Sequence, residues 1–317
     1  MLRLILSRLL QLPVILFVIL VVTFTMAWVM PGDPFTADAA KQPPVAVQRA
    51  MEARYNMDKG PLVFFGGYLE GIFTRLDFGE STASPGRKVS GIIADGLPVS
   101  AALGLTAIAF GLVLGTAAGV LGALKPKSAL DAGSLAISLI GISLPSFVTG
   151  AILLALGASL TRRYLPGMEW THLPLGGWEG PSSVILPAIT LGLAPAAYVA
   201  RLIRLGLADI MSSDYVRTAR AKGLSNQQAL FKHALKVACL PVLSFLGPAA
   251  ASVMTGSFVV ETIFNIPGLG FEFVKSVQNK DQMVILGVVL VFATMLILFN
   301  LLVDLAYAWV DPRIELD

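Results

Sequence analysis

The side chains able to do covalent or metal chemistry are few, and none sits where such chemistry needs a partner. His172 and His233 are the two histidines and Cys239 is the single cysteine. The two histidines fall in loops expected on opposite sides of a membrane, which leaves no His/Cys cluster for a metal, and one cysteine forbids an intrachain disulfide. Cys239 lies in an apolar run, and a small buried hydrophobe is the expectation. The dipeptide Gly-Lys never occurs, so there is no G-x-x-x-x-G-K-[ST] loop to cradle nucleotide phosphates. Gly157-Ala158-Ser159-Leu160 has the outline of an intramembrane protease nucleophile. A serine nucleophile needs a base within hydrogen-bond reach, and no apolar stretch contains a histidine.

The remaining polar cluster is a basic one, residues 201–236. It carries Arg201, Arg204, Arg217, Arg220, Lys222, Lys232 and Lys236 against Asp209 and Asp214. It also has helical grammar. Ser212, Ser213 and Asp214 offer N-cap oxygens. Tyr215 to Lys222 predicts a short helix with Gly223 as its left-handed stop. Ser225-Asn226-Gln227-Gln228 then predicts a capping box, opening a second helix with Leu230/Ala234 and Phe231/Leu235 as apolar pairs. Helix, glycine turn and helix, basic on one side and apolar on the other, describe a docking element.

The elements that hold this cluster follow from composition. Of 317 residues, 56% are hydrophobic and 14% charged, and mean hydropathy is +0.77. Six stretches of 21 to 30 residues contain no Asp, Glu, Lys or Arg: 9–32, 96–124, 132–161, 180–200, 237–260 and 282–303. A bilayer core about 30 Å thick needs about 20 apolar residues, so six spans of an all-α, polytopic membrane protein are predicted. A soluble enzyme, a disordered chain and a disulfide-stapled secreted domain are excluded. The net charge of +3 and pI near 9.0 reflect loop charge, and no nucleic-acid partner is expected. The first stretch, after Arg3 and Arg8, exceeds the 7–15 apolar residues of a signal peptide and ends without a small-x-small site. It is expected to be an uncleaved span.

Basic residues concentrate in alternate loops: Arg3 and Arg8, then Lys125 and Lys127, then 201–236. The positive-inside rule therefore places both termini and the 201–236 cluster in the cytoplasm. Residues 33–95 lie outside on this reading, with helices expected near 44–56 and 61–73, the latter resting on the membrane surface. The chain divides into 1–95, the first span plus this loop, and 96–317, a five-span core. Gly111, Gly115 and Gly119 share one helix face and predict close helix packing. Pro145, Pro187, Pro195, Pro241 and Pro248 predict kinks. Glu261 and Asp304 sit at span ends, and the spans lack the buried charges of a proton relay. Energy for uphill transport must then enter from another subunit.

Asp214-Tyr215-Val216-Arg217-Thr218-Ala219-Arg220-Ala221-Lys222-Gly223-Leu224-Ser225 resembles the EAA loop of ABC importer permeases. It is most similar to the oligopeptide/dipeptide/nickel branch and to its first, B-type, membrane subunit, where R-T-A-R-A-K-G is common. Arg217 and Thr218 stand where the general motif has Glu and Ala. Five further segments resemble the family in the same order: Pro31-Gly32-Asp33-Pro34, Asp77-Phe78-Gly79, Leu97-Pro98-Val99-Ser100, Glu261 to Gly270, and Val310-Asp311-Pro312-Arg313-Ile314. The resemblance implies a type I ABC importer permease in a bacterial inner membrane. It implies pairing with a second homologous permease, two ATPase subunits that bind ATP and Mg, an extracytoplasmic substrate-binding protein and a peptide substrate. This chain would hold no cofactor and catalyse nothing. Tyr215, Arg217, Thr218, Ala219, Arg220, Lys222 and Gly223 would couple to an ATPase. Ser143, Ser146 and Ser257 are candidate path-lining residues, with bonding back to their own helices the equal alternative. Alternative cargoes are nickel, heme, murein peptides or antibiotic-like peptides; the alternative class is an intramembrane protease acting through Ser159.

Overall fold

The computed structural model describes residues 2–31, 45–124, 128–164 and 174–310. Gly32 to Pro34, Lys125, Lys127, His172 and the ending 311–314 lie outside the described residues. The described chain is helical: α1 Leu2–Val29, α2 Val45–Arg54, α3 Pro61–Arg75, α4 Val89–Leu124, α5 Ala129–Ser143, α6 Ser146–Tyr164 and α7 Ile185–Ile210. Then follow α8 Asp214–Ala221, α9 Asn226–Ala229, a π turn Leu230–Ala234, α10 Leu235–Ala238, α11 Leu240–Ile263, α12 Leu269–Gln278 and α13 Gln282–Val310.

Among the described residues, five helices are long and apolar enough to cross a membrane: Arg8–Val29, Val89–Leu124, Pro181–Ile210, Leu240–Ile263 and Gln282–Tyr307. The third apolar stretch is the departure from a straight span. It is a pair, Asp131–Ser143 and Ser146–Ser159, bent by 108°. Leu144 is extended, at φ −84° and ψ 123°. Pro145 follows it, and a residue before proline is driven from the helical region. Pro195 and Pro248 lie inside helices, whereas Pro241 opens α11, where its missing N–H costs nothing.

The expected division at residue 95 follows topology; contacts group the chain differently, into two compact units. One comprises Leu2–Ala101 with Ile266–Ile297. Its core joins Leu20 and Phe24 of α1, Phe64, Tyr68 and Ile72 of α3, and Leu286 and Leu290 of α13. Phe24 stacks on Phe65 at 4.7 Å between ring centroids. The aromatic face of α3 is therefore packed on α1, while Leu62, Val63 and Phe73 stay exposed. Burial pushes the Tyr68 phenol well above its ordinary pKa and keeps it neutral.

This unit is tied by carboxylates. Asp281 is buried and accepts hydrogen bonds from the Ser81 hydroxyl, from Thr82 N and Oγ1 (3.1 Å each), from Ala83 N (3.4 Å) and from Val284 N (3.3 Å). One side chain thus caps α13 and closes the turn at 81–84. Arg87 makes a two-pronged bond to Glu272 at 3.0 and 3.1 Å. Hydrogen bonds to a charged group contribute about 1.5–3 kcal/mol each, and orphaned buried donors cost about 1–3 kcal/mol. Asp281→Ala should therefore lower stability by about 3 kcal/mol, read as an earlier thermal transition of the purified protein. An unchanged transition would show that water replaces the carboxylate.

Three stretches that resemble the permease family, Asp77–Gly79, Leu97–Ser100 and Ile266–Gly270, lie in this unit as joints. The Ser100 hydroxyl accepts a hydrogen bond from Leu269 N at 2.8 Å. A Cβ on Gly96 would lie 3.0 Å from the same nitrogen. Asp77 Oδ1 accepts from Gly79 N at 2.9 Å, closing a turn that Gly79 completes at φ +80°.

The other unit comprises Ala102–Asn265 and the chain from Leu298 on. The glycine face of α4 packs within the subunit, on α7. A Cβ at Gly119 would sit 2.6 Å from the Ala200 carbonyl oxygen and 2.8 Å from Ile203 Cβ. One at Gly115 would collide with the Ala196 carbonyl, and Gly192 in turn faces the Ala107 carbonyl. Backbones this close leave no room for side chains. Gly115→Leu should cost about 3 kcal/mol or prevent packing. Gly133→Leu, where nothing lies within 4 Å, should melt as the parent does. Equal melting of both variants would refute the contact.

Candidate functional site

The cluster 201–236 is not a loop appended to a span. α7 continues to Ile210, so Arg201, Arg204 and Asp209 are helical residues. Three residues, Met211 to Ser213, then lead into α8. Ser213 occupies the N-cap position but makes no capping bond. Its hydroxyl donates back to Ile210 O at 2.6 Å, and that of Ser212 to Asp209 O at 2.7 Å. The end of α7 thus takes both hydroxyls expected to cap α8.

At its C-terminal end α8 behaves as the sequence predicts. Gly223 has φ +94°, its N–H donates to Arg220 O at 2.9 Å, and Leu224 N donates to Ala219 O at 3.3 Å. This is a left-handed stop satisfying two carbonyls. Ser225 and Gln228 form the reciprocal capping box of α9. The helix after it continues through the π turn, burying Leu230, Ala234 and Ala238 with Leu207 and Ile203 of α7. α8 is thereby held at both ends by packed helices.

The faces of α8 are distinct. At 100° per residue, Tyr215, Thr218, Ala219 and Lys222 share an arc of about 100°. Tyr215, Thr218 and Lys222 are exposed and Ala219 is half-buried. Val216 and Arg220 face the other way. Val216 is fully buried. Arg220 Nη2 donates to Met211 O at 3.3 Å, and its Nε is buried with no hydrogen-bond partner. Arg220 therefore ties α8 to the end of α7, whereas Arg217 points outward with only a 3.4 Å contact to the equally exposed Asp214. Pairs so exposed contribute little. Arg217 and Lys222 are the cations that α8 and its C-terminal turn present outward.

Of the serines singled out from the sequence, Ser143, Ser257 and Ser159 turn back on their own helices. Ser143 donates to Leu139 O at 2.8 Å and Ser257 to Met254 O at 2.8 Å. Ser146 is half-buried, its Oγ 3.4 Å from where a Cβ on Gly256 would be. Ser159 donates to Leu156 O at 2.9 Å. Cys239 is a free, half-buried thiol rather than a fully buried one.

Charge counting missed a pair beneath the site. Arg204 Nε and Nη2 bond Asp131 Oδ1 and Oδ2 at 2.6 and 2.8 Å. Asp131 is buried in the first turn of α5, where Ser128 caps it, rather than in a loop. The Ser128-to-Asp131 spacing was the available signal. Glu261 sits in the last turn of α11, at the span end as expected, and is fully buried there.

The chain is similar to known proteins. Residues 89–316 match the family described as binding-protein-dependent transport system inner membrane component, and residues 1–104 match its N-terminal counterpart. The dipeptide transport system permease protein DppB of Bacillus subtilis is 39% identical over 94% of this chain and 93% of its own length. The oligopeptide transport system permease protein OppB is 38% identical in Haemophilus influenzae and 37% in Escherichia coli, each over 99% of this chain and all of the relative. Among solved structures, a chain of the MetNI methionine ABC transporter in an inward-facing conformation shares the fold, with a TM-score of 0.53 and 18% identity over 70% of this chain and 97% of that one. With five membrane-length helices, one broken span and full-length likeness to those permeases, the chain belongs to the family of binding-protein-dependent transport system inner membrane components.

Proposed function

We propose that this chain is a membrane subunit of an ATP-driven peptide importer and that α8 is its coupling helix. The permease pairs with a second, homologous one, and the two form the translocation pathway. Two cytoplasmic ATPases bind ATP and Mg, and an extracytoplasmic binding protein delivers the peptide. Both termini and α8 face the cytoplasm, as the basic residues of 201–236 favour. This chain breaks no covalent bond; it alternates between outward and inward openings as the ATPases close.

One observation carries the reading. α8 is an eight-residue helix held at both ends, with Val216 buried and Tyr215, Thr218 and Lys222 presented outward. Such a helix fits a groove on a partner. Tyr215 supplies area at low entropic cost, and Arg217 and Lys222 supply charge-assisted bonds to carboxylates. Peptide cargo is supported by the dipeptide and oligopeptide permeases among the relatives.

Affinity purification of the chain from mild detergent tests the assembly. A second permease and P-loop ATPases are expected to co-purify, and peptide uptake is expected to need all of them. Recovery of the chain alone, stable and without ATPases, would overturn the reading.

A further inference from the structure

The geometry points to a second binding site, one for a phospholipid with an anionic headgroup. The groove lies between the second half of α4 and the helical segment after α9. Its volume is about 670 Å3, and it is lined by Leu112, Val113, Thr116, Leu121, Phe231 and Leu235, among others. Only Thr116 among these carries a polar side-chain atom. Val113, Leu121 and Phe231 are 73%, 59% and 56% exposed, so the trough is open along its length. From Leu112 to Leu124, α4 rises about 18 Å, slightly more than half of a hydrocarbon core about 30 Å thick. The trough therefore runs the depth of one leaflet, the span of one acyl chain.

Two features select a lipid over a protein helix. Helices approach one another in a bilayer along small residues. The small face of α4, Gly111, Gly115 and Gly119, is already filled by α7. The face toward the groove has no glycine and sets Thr116 and Ala117 among Leu, Val and Phe side chains, which suits a pliable chain. The second feature is charge. Phe231 and Leu235 form one stripe, and Lys232 and Lys236 form the adjacent one, with His233 between them in sequence; all three polar residues are exposed. No acidic residue occurs between Tyr215 and Val260. An apolar trough beside two lysines that make no ion pair among the described residues is complementary to acyl chain and anionic headgroup together. The site is separate from the outward face of α8 and does not depend on the cargo.

The test uses the full chain in its assembled transporter, reconstituted in liposomes. The probes are phosphatidylglycerol and phosphatidylcholine carrying the same photoreactive acyl chain. Phosphatidylglycerol is expected to label residues 112–124, with phosphatidylcholine labelling them several-fold less. Lys232→Gln with Lys236→Gln should weaken phosphatidylglycerol labelling by about fivefold per lysine removed and leave phosphatidylcholine unchanged. Val113→Trp, which fills the trough from an exposed position, should reduce labelling by both probes. Equal labelling by both lipids, or a double-lysine variant that labels as the parent does, would overturn the anionic site. So would capture of the second permease by a benzophenone at position 113, since the groove would then seat a protein helix.

Discussion

Gly223→Pro should abolish peptide uptake while leaving the protein in the membrane at normal abundance. The argument is local. Gly223 holds φ +94° and donates its N–H to Arg220 O at 2.9 Å. Proline fixes φ near −65° and has no N–H, an incompatibility of about 3 kcal/mol or more. The turn between α8 and α9 must then reopen, and α8 loses one of its two anchors. No membrane-length helix contains the residue, so insertion does not depend on it. A paired variant separates docking from folding. Tyr215 is 46% exposed, and exposed substitutions usually change stability by no more than about 0.5 kcal/mol. Tyr215→Ala should melt as the parent does and yet lose ATPase co-purification and at least about tenfold in uptake, as expected for a buried aromatic anchor at an interface. Uptake at parental rate in both variants, at parental abundance, would remove α8 from the coupling role.

How much of this was legible in the sequence depends on the physical rule each feature obeys. Local rules transferred well. The 100° repeat and two-sided caps placed α8, the Gly223 stop and the Ser225–Gln228 box where the structure has them. The capping of α8 did not transfer, because the hydroxyls of Ser212 and Ser213 had a second set of carbonyls within reach, those of α7. Apolar blocks located the long helices but misplaced their ends. α4 begins at Val89 rather than 96, and α7 runs to Ile210 rather than 200. A helix does not stop where charge begins; it stops where its hydrogen bonds find another partner. Pro145 was visible as a kink, but the 108° bend depends on what α5 and α6 each pack against.

Long-range pairings were not legible. Ser81 and Asp281 are 200 residues apart, and each alone reads as an ordinary loop residue. Arg220 was not legible either, although its partner is only nine residues away. Its spacing suggests an exposed cation for a partner, whereas the end of α7 returns close enough to offer it a carbonyl. Composition assigned every charge to topology, and topology is blind to charges that pair beneath the surface.

Asp131 and Arg204 carry the largest stability effect of this kind. They lie 73 residues apart, and the pair is two-pronged at 2.6 and 2.8 Å. Side-chain exposure is 5% for Asp131 and 20% for Arg204. Removing one partner of a buried pair leaves an uncompensated charge and costs about 3–5 kcal/mol, whereas replacing both by apolar residues of similar volume is often neutral. Asp131→Asn and Arg204→Gln should each melt well below the parent and reach the membrane in reduced amount. Asp131→Leu combined with Arg204→Met should recover most of the melting temperature. Arg204→Lys should fall between, because an ammonium cannot make the planar fork. Salt should barely affect the difference, as screening acts weakly on buried pairs. The consequence reaches the proposed coupling helix. Arg204 stands six residues before the end of α7, and three residues further on α8 begins. The pair fixes the last turns of α7 against α5, and so sets the base from which α8 projects. The apolar double variant separates the two roles: recovered melting with recovered uptake makes the pair a stability element alone, while recovered melting with uptake still lost makes it a positioning element for α8. Melting of the single variants at the parental temperature would show that the pair contributes to neither.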